Sequence, residues 1–176
     1  MTVMQLLDSK KSLAKRPEKI LEIFLQPGDL HWGGAGTRIR TILGSCVAVT
    51  IWHPRKKVGG MCHIMLPSRA PQQKVTPPAW ETSGRYADEA IALMMDEMAA
   101  LKIKSEECQV KVFGGSNMFS RLNLKANHQI GDKNLEAVFE LLKKNGFNIH
   151  ANNYGGEDAR YVIFDVWSGD AWVRRS

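Results

Sequence analysis

Residues 38–53, RIRTILGSCVAVTIWH, are apolar or β-branched at most positions, with a single Gly-Ser interruption. So much valine, isoleucine and threonine in an apolar run reads as buried sheet, one long strand open to a break at Gly44. PRKKVGG (54–60) then turns the chain, and MCHIMLP (61–67) runs back until Pro67 stops it. Two of the three cysteines and two of the five histidines fall in or beside this hairpin: Cys46, Cys62, His53 and His63.

The remaining segments supply more sheet and two helices. IFLQPGDLHW (23–32) reads as strand, Pro-Gly-Asp turn and strand, and GGAGT (33–37) as a loop. Residues 68–83 hold three prolines and few apolar groups, the pattern of a surface loop or substrate flap. GRYADEAIALMMDEMAALKI repeats Ala87, Ala90, Ile91, Met94, Met98 and Leu101 at helical spacing, one buried face of a Met-rich core helix. QVKVFGG (109–115) is a short strand. GDKNLEAVFELLKKNGF offers Asp132 as N-cap, a stripe of Leu135, Val138, Phe139 and Leu142, and Gly146 as the stop. The tail reads as three strands with turns at Gly155-Gly156 and Ser168-Gly169. About seven strands against two helices, without βαβ alternation, predict an α+β fold: mostly antiparallel sheet with both helices packed on it. Residues 1–22 are a polar extension, with a frayed amphipathic helix in its first 19 residues, and 23–176 form a single domain.

At 176 residues, 44% hydrophobic and 24% charged, the chain suits one soluble domain whose core needs no staples. Its apolar stretches are strand-sized, so none inserts in a membrane as a helix, and the N-terminus has no signal-peptide pattern. Three cysteines without a framework spacing point to reduced thiols and a cytoplasmic location. The net charge of +6 is scattered, apart from Lys10, Lys11, Lys15, Arg16 and Lys19. No aromatic platform or zinc-finger spacing accompanies it, so a solvated basic face is favoured over nucleic-acid binding.

The hairpin also has a chemical reading. If its turn centres between Pro54 and Arg55, Cys46 lies opposite His63, with Cβ atoms about 4.5–5.5 Å apart on one sheet face. A one-residue slip would separate them. An imidazolium there would hold the thiol as thiolate at neutral pH. Gly44-Ser45 marks a place where a strand bulges and presents N–H groups to an oxyanion. The competing reading is an inert buried cysteine and a satisfied core histidine. Cys62 points to the other face and reads as core, as does Cys108. A zinc site ranks lower because Cys62 and His63 diverge on a strand and no Cys-x-x-Cys spacing exists.

RTILGSCVAVTIW, VGGMCHIMLP, RYADEAI, KVFGGSNMF, IGDKN and GGEDARYVIFDVWSGDAWVRR occur in the order found in the chemoreceptor glutamine deamidases, the CheD family. The resemblance spans about residues 24–175. It implies a layered sandwich similar to the catalytic domain of the cytotoxic-necrotizing-factor toxins. It also implies hydrolysis of selected receptor glutamines to glutamate through a cysteine thioester, with no cofactor and no metal. On matching positions the nucleophile is Cys46, the base His63 and the third catalytic member Thr41. In one regular strand Thr41, five positions before Cys46, faces away from it, so the assignment needs a bulge at Gly44; Ser45 and Thr50 are the fallback orienters. Gly44 and Ser45 frame the oxyanion site. The glutamine enters a slot near Gly59-Gly60 and Gly114-Gly115, with Ser116 and Asn117 either binding its amide or satisfying a turn. The implied partners are the Glu-rich helical bundle of a chemoreceptor, to which a basic enzyme is steered at the membrane, and a CheC-type phosphatase. Two alternatives stand beside deamidation: methyl-ester hydrolysis by the same thiol, and a non-catalytic docking module.

Overall fold

The computed structural model describes residues 5–6, 14–69, 83–117 and 130–176. Among the described residues ten strands form two five-stranded sheets. The first runs in the order β1 (Gln5–Leu6), β10 (Asp170–Arg175), β9 (Arg160–Asp165), β4 (Thr37–Leu43) and β2 (Leu21–Phe24). The second runs β3 (Leu30–Gly33), β6 (Val58–Ile64), β5 (Val47–His53), β7 (Gln109–Gly114) and β8 (Ile149–Tyr154). Only β2–β4 and β7–β8 pair parallel; the other neighbours are antiparallel. Helices α1 (Ala87–Ala100) and α2 (Ile130–Lys144) pack on the second sheet. The architecture is α+β, a layered sandwich of sheet, sheet and helices.

Burial patterns explain the layering. In β4 Thr37, Ile39, Thr41 and Leu43 are buried while Ile42 is exposed, the alternation of a sheet with one solvated face. In β5 all seven residues are buried, as required of a central strand covered on both sides. Between the sheets lie Ile39, Leu43, Val162 and Phe164 from the first and Ala48, Trp52, Met61 and Phe113 from the second. Beneath the helices lie Val47, Val49, Ile51, Val110 and Val112. Burying each such large apolar side chain contributes about 1.5–3 kcal/mol. The Trp52 indole N–H donates to the Val166 carbonyl at 2.7 Å, tying the layers at the end away from Cys46.

Four local expectations change. The run 38–53 is two strands in two different sheets, because the chain bends at Gly44–Cys46 and crosses from one layer to the other. Of the helix expected within the first 19 residues, 1–4 and 7–13 lie outside the described residues, while Gln5–Leu6 is a strand paired with β10. Leu101 is 40% exposed because α1 ends at Ala100. Asp132 lies in the first turn of α2 rather than at its N-cap, since the helix begins at Ile130. The flap expected at 68–83 falls almost wholly outside the described residues.

Candidate active site

The turn between β5 and β6 occupies residues 54–57 and centres between Arg55 and Lys56, one position later than expected, with Lys57 at φ +53°. His63 therefore stands opposite Ala48 instead of Cys46. A two-residue offset preserves the face. Cys46 packs with the inter-sheet cluster that contains Ala48 and Met61, and His63, two residues from Met61 on β6, projects to the same side. Cys46 is half-buried at the end of this layer and His63 is buried. Cys62 points the other way, under the helices, as the alternation requires.

Thr41 reaches His63 from the opposite sheet. Its Oγ1 lies 2.7 Å from His63 Nδ1 and donates to the Leu25 carbonyl at 2.9 Å. A hydroxyl has one proton, and that proton is committed to Leu25. Nδ1 must then carry hydrogen and donate to Thr41, which leaves Nε2 with its lone pair. Nε2 is buried and has no hydrogen-bond partner among the described residues, so it does not bond the Cys46 thiol in this resting arrangement. The parity problem between Thr41 and Cys46 disappears because the two residues belong to facing sheets, and no bulge is needed. Thr50 is buried opposite Met61, its hydroxyl without a partner among the described residues.

Electrostatics make this a neutral pair. Burial pushes the Cys46 thiol above its ordinary value. Burial also lowers His63 from 6.5 to about 4, despite Asp29 and the Leu25 carbonyl acting in the opposite direction. Both shifts favour the neutral forms, thiol and imidazole, over the thiolate–imidazolium pair expected from the hairpin pairing. Burial pushes Cys62 up to about 12 and Cys108 up to about 11, and Cys46 is the half-buried thiol of the three.

Backbone contacts hold the Cys46 segment. Gly115 N–H donates to the Cys46 carbonyl at 2.8 Å, and Ser116 N–H to the Gly44 carbonyl at 2.9 Å. Gly114 has φ +97°, and a Cβ there would overlap the Cys46 carbonyl oxygen, so only glycine lets β7 approach this closely. Gly59 and Gly60, by contrast, lie within β6. A Cβ on Gly60 would sit 2.6 Å from the His31 carbonyl oxygen and one on Gly59 2.5 Å from that of Ile51. They allow close strand contact and form no slot.

Ser116 is buried; its hydroxyl donates to the Asp158 carbonyl at 2.6 Å and accepts from Arg160 Nη1. Asn117 N–H donates to the Gly156 carbonyl at 2.8 Å, and its amide nitrogen lies 3.3 Å from Asp132 Oδ2. Both residues thus tie the segment after β7 to the β8–β9 turn. Two residues escaped the sequence reading. Arg160 is 1% exposed and also donates to Asn153 Oδ1 at 2.8 Å and to the Gly155 carbonyl. Asn134, fully buried, donates from Nδ2 to the Ser45 carbonyl at 3.1 Å and the Met65 carbonyl at 2.9 Å. A signal for Asn134 existed: it interrupts the apolar stripe of α2 at a core position. Among the described residues no group of three or more His, Cys, Asp or Glu side chains could hold a metal ion.

The site can thus accept a thiol proton at a tautomer-fixed imidazole and present the sulfur at a half-open edge. The chain matches the family model described as CheD chemotactic sensory transduction over residues 65–175, a match that begins two residues after His63. It is 40% identical to a probable chemoreceptor glutamine deamidase CheD 1 of Chromobacterium violaceum, over 88% of this chain and 77% of that protein. It is 41% identical to a CheD 3 of the same description from Dechloromonas aromatica (92% and 91% covered), and 42% identical to a CheD 2 from Albidiferax ferrireducens (89% and 88%). A crystal structure of Neisseria meningitidis protein NMB0706 superposes with a TM-score of only 0.38 at 14% identity, covering 84% of this chain and 63% of that one, too loosely to carry an argument. The matches along most of its length show that this chain belongs to the CheD family.

Proposed function

We propose that the chain is a protein-glutamine deamidase acting on chemoreceptors, with Cys46 as nucleophile, His63 as general base and Thr41 as the group that fixes the base. The observation that carries this reading is the 2.7 Å Thr41–His63 contact, which leaves a lone pair on the buried Nε2 of a side chain that shares its sheet face with Met61 of the cluster Cys46 packs against. The relatives' description as chemoreceptor glutamine deamidases supports the substrate class.

Substrate entry aligns the thiol with Nε2. The Cys46 proton passes to Nε2 as sulfur bonds to the carboxamide carbon, giving a tetrahedral oxyanion. The backbone around Gly44, Ser45 and Cys46 is the nearest source of N–H donors for that oxygen. The imidazolium returns the proton to nitrogen, the C–N bond breaks and ammonia leaves a thioester. His63 then takes a proton from water, hydroxide adds to the carbonyl, and the C–S bond breaks to release glutamate and the thiol. Because the pair rests neutral, the sequence of proton transfers is that of a serine hydrolase more than of a preformed ion pair.

The same reading places the protein at the cytoplasmic part of membrane receptors and leaves a CheC-type phosphatase as a second partner. The test is peptide mapping of a receptor cytoplasmic fragment incubated with wild type and with Cys46→Ala. Glutamine-to-glutamate conversion by wild type alone supports the proposal, and an unchanged receptor mass with both overturns it. Conversion confined to methyl esters would favour the esterase instead. Retention of a CheC-type phosphatase by Cys46→Ala would separate docking from chemistry.

A further inference from the structure

We infer that Asn134 is a positioning residue that sets the distance between the nucleophile segment and the base segment. The inference rests on the Cys46–His63 reading above. The β5–β6 ladder ends at the pair Val47–Ile64. The next pair in register would be Cys46 with Met65, but there the strands part: the Cys46 carbonyl turns to Gly115 N–H and the Met65 N–H to the Arg85 carbonyl. No ladder bond spans the opening at which the reaction takes place.

Asn134 spans it instead. One amide nitrogen donates to Ser45, the residue before the nucleophile, and to Met65, two residues after the base. Its helix is seated against the same segment, since a Cβ on Gly131 would fall 2.7 Å from the Gly115 carbonyl oxygen. Gly115 in turn holds Cys46. Among the described residues the amide oxygen of Asn134 is buried without a partner. An apolar side chain of similar size would avoid that unpaired acceptor, so what the amide supplies is its pair of N–H donors. Both donors act on backbone, and neither touches sulfur or imidazole. The residue works through the segments that carry them.

The test compares wild type with Asn134→Leu, Asn134→Ser and Leu142→Ala. Leu142 is a core residue two turns further along the same helix, so its truncation lowers stability away from the opening. Two readouts are used: kcat and KM for deamidation of a receptor fragment, and the rate of Cys46 carboxamidomethylation by iodoacetamide at pH 7 and pH 10, located by peptide mass. At pH 7 alkylation draws on His63 as base; at pH 10 hydroxide removes much of that need. Asn134→Leu is expected to lower kcat about 10²-fold with KM held within about threefold, and to lower the pH 7 to pH 10 alkylation ratio about tenfold. Asn134→Ser, which reaches one carbonyl at most, is expected to fall between. Leu142→Ala should change melting temperature and leave both readouts within about twofold.

If folded Asn134→Leu shows wild-type kcat and an unchanged alkylation ratio, or if Leu142→Ala shifts that ratio equally, the inference is overturned. If Asn134→Leu does not fold, the same comparison on Asn134→Ser decides. Failure of the wild type to deamidate any receptor fragment would remove the functional reading alone, because the alkylation ratio judges Asn134 without a receptor.

Discussion

In the proposed mechanism Thr41 does for His63 what a carboxylate does in many hydrolases, without bringing a charge. A neutral acceptor on Nδ1 fixes the tautomer but does not stabilise an imidazolium, consistent with a histidine held down at about 4. Thr41→Val should lower kcat roughly 10²-fold with little change in KM, and Thr41→Ser should keep most of the rate, as measured by glutamate formation in a receptor fragment. The depressed His63 also sets the pH profile. Its base form persists far below the ordinary 6.5, so kcat/KM is expected to stay level from pH 7 to about pH 5 and to fall only near pH 4. An acid limb centred near 6.5 would contradict the neutral pair. Linkage gives the sign for stability. The unfolded chain protonates His63 before the folded chain does, so the folded state loses stability as pH drops from about 6.5 towards 4. That part of the slope should vanish in His63→Gln, followed by thermal melts across the range.

Among the elements, the crossing at Gly44–Cys46 matters most. Its signal was present in the sequence as a change of pattern: RIR (38–40) alternates polar and apolar, whereas VAVTIWH does not. Alternation belongs to a strand with a wet face and a continuous run to one covered on both sides. The two halves therefore belong to different layers, which a reading of average β-propensity merges into one strand. The hairpin turn, both helices, the three C-terminal strands and the Cys46–His63 face were legible from local spacing. The register was misplaced by the two-residue offset because Pro-Arg-Lys-Lys fixes no turn type, and Lys57 takes a positive φ that its side chain does not announce. Arg160 and Asn134 were not legible as contacts, since Asn134 bonds the backbone carbonyls of two remote segments and Arg160 joins its own β8–β9 turn to Ser116 of the loop after β7. Gly114 tests the element scale directly. Gly114→Ala combines a positive φ with overlap on the Cys46 carbonyl, so it should destabilise by about 2 kcal/mol or more and reduce activity beyond what the melting temperature explains.

For the whole molecule, a net charge of +6 should speed encounter with an acidic helical bundle and leave the buried chemistry alone. Raising ionic strength from about 0.05 to 0.5 M is expected to lower kcat/KM several-fold while kcat at saturating receptor stays nearly constant. Equal salt sensitivity of both constants would remove electrostatic steering as an explanation. No helix among the described residues is long and apolar enough to cross a membrane.

The placement of Thr41 on one sheet and His63 on the other has a mechanical outcome. Side chains such as Ile39, Phe113 and Phe164 act as spacers whose thickness sets whether the hydroxyl and the ring touch. Trimming one of them would let the layers settle by a fraction of an ångström and detune the imidazole from a distance. Turnover would then vary with the thickness of the hydrocarbon layer, as if the interior were an adjusting screw.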